Sequence, residues 1–178
     1  MTKVIVFLRA VMPTGPNRIP KMSFLVEILT EAGYRQVQTY IQSGNILLET
    51  EKSLDEVAAE VHYLIKKKIG ANLHVIVLPA ASVLAALEES PFKDVEDGSS
   101  VFFVFSNQLK NSEKLTELQD SDWGAQKLYS GKECIHMWLP WDAKPKRLSN
   151  TYLEKRLGIV STMRNRNVIA NLCKMACQ

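Results

Sequence analysis

Apolar positions fall along the chain in two alternating registers. Val4-Ile5-Val6-Phe7-Leu8 is a continuous apolar run of strand length, and Phe24, Leu25, Ile28, Leu29 and Ala32 then recur at helical spacing after Pro20 and before Gly33. Two strands follow around the turn Gln42-Ser43-Gly44-Asn45. Leu54, Val57, Ala58, Val61, Leu64, Ile65 and Ile69 mark a second amphipathic helix, and Leu73 to Leu78 is a fourth strand stopped by Pro79. The order βαββαβ is that of a ferredoxin-like plait. After a short helix from Ser82 to Glu89, residues 90–98 have the composition of a linker, and a similar order restarts. Val101–Phe105 is a strand, Glu113–Gln119 a helix, Gln126–Tyr129 and Cys134–Leu139 strands, and Asn150–Leu157 a helix. Where a last strand would complete a second plait, Arg164–Met175 reads as helix. The expected fold is α+β, with mainly antiparallel sheets. One ferredoxin-like half with a short helix spans residues 1–90, and a second, incomplete half spans 98–178 and ends in basic helices.

A lone plait has water on one sheet face, so its strands should alternate apolar and polar. Only the second strand does, with Val37, Thr39 and Ile41 set against Gln38, Tyr40 and Gln42. The first, third and fourth strands and Val101–Phe105 are apolar on both faces. The other half of the chain, a partner chain, or both must cover them.

Composition limits the function classes. With 178 residues, 46% of them apolar, the chain can build one sizeable core or two small ones. Its longest apolar run is far too short to span a membrane, and Met1-Thr2-Lys3 opens without the h-region of a signal peptide, so a cytoplasmic protein is expected. Cys134, Cys173 and Cys177 form no C-x-x-C pair and read as reduced thiols. Charge is divided along the chain: from Ala143 onward eight Lys/Arg face one acid, while residues 1–142 hold fourteen against eighteen. A basic end attracts anions, although a solvated basic helix has the same composition.

Candidate chemistry gathers where strand ends meet. In the plait the first strand is antiparallel to the third, so Arg9 and Asn45 are expected at one edge, their Cβ atoms within about 10 Å. Arg9, Asn17, Arg18, Gln42, Ser43, Gly44, Asn45 and the run Lys66-Lys67-Lys68 would then line one rim, with backbone N–H groups as further donors for phosphate or carboxylate. The structural alternative is a hairpin turn in which glycine supplies positive φ and Asn caps backbone. Late in the chain, Arg164, Asn165, Arg166 and Asn167 open the last helix, with Ser161 or Thr162 as its expected N-cap. Two arginines in a first turn oppose the helix dipole, and the functional reading is an anion held by them and by free N–H groups, with the two asparagines orienting it. The alternative is that both arginines pair with acids elsewhere.

These segments resemble a known family. Arg9 before a Pro/Gly loop, Asn17-Arg18-Ile19-Pro20, Thr39-Tyr40-Ile41-Gln42-Ser43-Gly44-Asn45 and Thr162-Met163-Arg164-Asn165-Arg166-Asn167 are similar to the bacterial family of domain of unknown function 1697, over nearly the whole chain. The resemblance implies paired ferredoxin-like halves and brings no established activity. Ala10, Met12 and Thr14 stand where that family has Gly, Asn and Gly, and Arg166 where it has Trp, so a glycine-rich cradle and a stacking indole are not reproduced.

Other chemistry is not indicated. His62, His74 and His136 read as surface or core-edge histidines without a carboxylate or cysteine at ligand spacing, and Asp120-x-Asp122-x-Gly124 as an acidic turn. Phosphate-loop, dinucleotide and nucleophile-elbow motifs are lacking, and Cys173 and Cys177 sit late in a helix, where a thiol pKa rises. No catalytic residue, metal ligand or cofactor is assigned. Three readings follow: a non-catalytic module binding a phosphorylated small molecule or nucleic acid, an enzyme acting on a small anionic substrate at the same rim, or an assembly protein pairing through apolar sheet faces, as in a homodimer. None involves a membrane.

Overall fold

A computed structural model describes residues 1–108 and 112–178. The chain divides into two compact units, Met1–Ala81 with Lys174–Gln178, and Ser82–Cys173. The division thus falls before the 90–98 segment, and the last five residues count with the first unit.

In the first unit, β1 (Thr2–Arg9), β2 (Arg35–Tyr40), β3 (Asn45–Thr50) and β4 (His74–Pro79) form an antiparallel sheet in the order β2-β3-β1-β4. Helices α1 (Met22–Glu31) and α2 (Leu54–Lys68) connect them. The capping box at the start of α2 satisfies two otherwise orphan donors: Ser53 Oγ accepts from the Glu56 N–H, and the Glu56 carboxylate from the Ser53 N–H. Val4, Val6, Leu8, Ile46, Leu48 and Val77 pack on Leu25 and Leu29 of α1 and on Val57, Val61 and Ile65 of α2. On the other face Ile5, Phe7, Leu47 and Ile76 are buried as well. Ile41 departs from the expected alternation: it lies past the end of β2, has φ +49° and is 50% exposed.

In the second unit, α3 (Ala80–Glu89, from Ser82 on) and a single 3-10 turn at Gly98–Ser100 lead into β5 (Val101–Phe105). Strands β6 (Lys127–Ser130), β7 (Ile135–Trp138) and β8 (Thr162–Asn165) join it in the order β6-β7-β5-β8. Helices α4 (Ser112–Asp120) and α5 (Asn150–Leu157) supply the crossovers, and α6 (Arg166–Ala176) follows β8. The order repeats that of the first sheet, so the expectation of a missing last strand is corrected. Thr162-Met163-Arg164-Asn165 pairs with Phe105 to Phe102, and the helix starts only afterwards. Its N-cap is Asn165, whose Oδ1 accepts the Val168 N–H at 3.0 Å, not Ser161 or Thr162. Leu115, Leu118, Leu153 and Leu157 of the helices cover Val104, Leu128, Ile135 and Met137.

Candidate functional site

The turn after β2 is built into the core of the first unit. Asn45 is wholly buried, and its Nδ2 donates to the Tyr40 carbonyl at 3.1 Å and to Ser43 Oγ at 2.9 Å. The Leu8 N–H donates to the Gly44 carbonyl at 2.8 Å, which ties the turn to β1. Gly44 is required twice. Its φ is +74°, and a Cβ there would stand 2.7 Å from Leu8 Cβ and 2.9 Å from Val11 Cγ2. Gly44 and Asn45 therefore shape the rim from within, while Gln42 is exposed and Ser43 half-buried above them.

Several of the segments expected at the rim lie at one end of the first sheet. Phe7 pairs with Asn45, and Arg9 with His74, so the end of β1 and the starts of β3 and β4 share one end of the sheet. The loop after Arg9 is anchored by Ile19, 2% exposed, and by Asn17, whose Oδ1 accepts the Asn72 N–H at 3.2 Å and whose carbonyl accepts the Met12 N–H. Arg18 remains exposed, as do Lys66, Lys67 and Lys68 at the end of α2. Lys68 lies 3.9 Å from Glu31, and Lys67 stands over the Tyr63 ring. Across the segments 9–21, 40–45 and 66–74 there are six Lys/Arg and no Asp or Glu.

Arg164, Asn165, Arg166 and Asn167 belong to the second unit and have different settings. Arg164 is a strand residue, and its Nη1 donates to Thr162 Oγ1 at 2.7 Å and to the Met163 carbonyl at 2.9 Å. Burial pulls its pKa down to about 10, so it stays cationic at neutral pH. Arg166 does not pair with an acid side chain through these hydrogen bonds. Its Nη1 donates to the carbonyls of Phe92 (2.8 Å) and Lys93 (3.0 Å), and its Nη2 to those of Val95 and Glu96. That guanidinium clamps the 92–96 segment. Asn167 Oδ1 closes the same corner: a Cβ on Gly98 would lie 2.3 Å from it.

The second sheet also corrects the reading of His136. Tyr129 and Phe103 both pair with His136, and Phe103 with Arg164, which sets the four in a row on the face away from α4 and α5. His136 is 0% exposed and meets the Phe103 ring edge-to-face at 4.9 Å. It has both a cysteine and a carboxylate at ligand distance: Cys134 Sγ is 3.5 Å and Glu89 Oε1 3.4 Å from its Nε2. The first pair was visible in the sequence as Cys134-x-His136, one strand period apart; Glu89 lies 47 residues from His136 and gave no local signal.

Comparison with known proteins fixes the lineage. A family model described as protein of unknown function (DUF1697) matches residues 1–136. The chain belongs to that DUF1697 family. The late Thr162–Asn167 segment lies beyond the matched residues. Among solved structures, the conserved bacterial protein SP0830 from Streptococcus pneumoniae is similar over 98% of both chains, with a TM-score of 0.73 at 20% identity, a likeness of fold. No curated protein matches. None of the helices among the described residues is long and apolar enough to cross a membrane.

Proposed function

We propose that this DUF1697 protein is a non-catalytic bacterial cytoplasmic module that binds phosphate groups, of a phosphorylated small molecule or of nucleic acid, at the cationic end of its first unit. The observation that carries the reading is the run of three neighbouring segments with six Lys/Arg and no acid, five of the six exposed: Arg18, Lys21 and the three lysines at the end of α2. Charges gathered with few counter-charges, Glu31 beside Lys68 among them, raise the local concentration of a polyanion and speed its arrival. Arg9 and the exposed Gln42 border the same end. Arg166 stands outside the proposal, because its donors are engaged with main-chain carbonyls. None of the three cysteines is in a disulfide, and two of them are buried, which suits a reducing compartment.

The test is fluorescence anisotropy of labelled single-stranded RNA and DNA with the full chain at low salt, with pyrophosphate as a small competitor. Binding that pyrophosphate displaces at low concentration identifies a small phosphorylated ligand; binding that resists it identifies a longer polyanion. Absence of binding to all three probes at low ionic strength overturns the proposal.

A further inference from the structure

We propose that Glu89, Cys134 and His136 form a binding site for a zinc-class divalent ion in the second unit. Their ligand atoms all lie within 4.8 Å of one another. The sequence builds this convergence from three local devices. Residues 131–134 turn between β6 and β7, with the Gly131 N–H donating to the Cys134 carbonyl at 2.9 Å. Cys134 and His136 then alternate onto one side of the strand. Glu89, the last residue of α3, is held over them by backbone N–H groups, from Lys132 to Oε2 at 3.2 Å and from Glu133 to Oε1 at 3.1 Å. Burial alone would raise the Glu89 carboxyl, but these hydrogen bonds and His136 outweigh it and hold the pKa below the usual carboxylate value.

The geometry separates a metal site from a nucleophile relay. In a relay, one ring nitrogen takes the thiol proton while the other donates to the acid. Here Sγ at 3.5 Å and Oε1 at 3.4 Å both approach Nε2, while Nδ1 is 3.9 Å from Sγ. One nitrogen carries one proton or one lone pair and cannot serve both, and the other nitrogen meets the thiol only at the outer limit of a hydrogen bond to sulfur. The Nε2–Oε1 distance also exceeds that of a good N–H···O bond, about 2.7–3.2 Å. A tetrahedron around zinc, with bonds of about 2.0–2.1 Å to nitrogen and oxygen and about 2.3 Å to sulfur, has edges of about 3.4 Å (N to O) and about 3.5 Å (N to S), so both Nε2 distances suit an ion once Sγ, which lies beside the ring with Nδ1 at 3.9 Å, turns towards the Nε2 lone pair. The third edge, at most 4.8 Å, closes with a shift of Glu89 Oε1 of about 1 Å.

Gly131 supplies an independent observation. A Cβ there would stand 2.3 Å from Glu89 Oε1 and 2.9 Å from His136 Nε2, so the glycine keeps open the space against two of the three ligand atoms. Cys134 and His136 are 1% and 0% exposed, and the Glu89 side chain, 25% exposed, gives the ion its entry. Three protein ligands leave a fourth position for water or an exogenous ligand. Binding converts the Cys134 thiol to thiolate, so one proton leaves for each ion bound near neutral pH.

Titration of the reduced full chain with Co²⁺, followed by competition with Zn²⁺, tests the site. One equivalent of Co²⁺ should produce a thiolate-to-cobalt charge-transfer band and visible d–d bands of tetrahedral intensity, and Zn²⁺ should abolish both. The double variant Cys173→Ser/Cys177→Ser should keep the spectrum. Cys134→Ser, a near-isosteric change checked for folding by circular dichroism, should lose the charge-transfer band, and Glu89→Gln should weaken affinity about tenfold or more. Failure of the parent to bind one equivalent, or a charge-transfer band that survives in Cys134→Ser, overturns the assignment. Should Cys134→Ser not fold, loss of the band in Cys173→Ser/Cys177→Ser overturns it equally.

Discussion

Replacing Gly44 with alanine tests whether the Ser43-Gly44-Asn45 turn is a structural element pressed against β1. Two penalties are expected. Gly44 has φ +74°, where an L-residue costs about 1–2 kcal/mol. The added methyl also meets Leu8 Cβ at 2.7 Å and Val11 Cγ2 at 2.9 Å. Leu8 is a buried strand residue whose Cβ cannot swing away, so relief requires the turn to move and to strain the Leu8–Gly44 hydrogen bond. Overpacking of this kind costs about 1–3 kcal/mol, for a sum of about 2–5 kcal/mol. Gly70→Ala in the same unit isolates the second penalty, because Gly70 has φ +88° and open space around its missing Cβ. Urea unfolding of parent and variants, with the m-value held as a check on the transition, should place Gly44→Ala about 1–3 kcal/mol below Gly70→Ala. Equal losses would refute the close approach of turn and strand.

Other outcomes follow from the same geometry. Ala10 sits at φ +65° where the related family pattern carries glycine, so Ala10→Gly should raise stability by up to about 1 kcal/mol in urea unfolding; a clear loss would show that the residue is unstrained. Arg166→Met should cost about 2 kcal/mol and speed proteolysis within residues 92–96, with Arg166→Lys recovering only part, as expected for a fork spread over several carbonyls. At Glu60, burial would raise the carboxyl pKa, but hydrogen bonds from Lys52 and Tyr34 hold it below its ordinary value. A lowered folded-state pKa gives stability that is complete above the unfolded value of about 4.5 and is lost as pH falls through the folded one, so Glu60→Gln should flatten that acid limb; an unchanged limb would mean the contacts are not made in solution.

Most of the fold was legible because its cores obey simple periods. Val101–Phe105 and Asn150–Leu157 were read to the residue, and the order of the first unit followed from apolar runs punctuated by glycine and proline. Strand β8 was not legible: Thr162-Met163-Arg164-Asn165 has no apolar alternation, places an arginine in a strand, and runs into a helix whose stripe begins three residues later. Its strand character comes from pairing with β5, a tertiary fact. The same holds for the cluster around His136, where two ligand atoms are neighbours in sequence and the third arrives from α3. Around Asn45, sequence pattern located the turn correctly, but the same asparagine that suggested a site is turned inward to hold it.

The most direct measurement of the central claim is the salt dependence of oligonucleotide binding in the parent and in the triple variant Arg18→Glu/Lys66→Glu/Lys67→Glu, whose altered side chains are all exposed. If the cationic end of the first unit holds phosphates, the parent's log–log slope should be steep, and the variant's shallower by about 2, as expected for losing three phosphate contacts to a single strand, with much weaker binding at low salt. Parent and variant with the same affinity and the same slope would contradict the account.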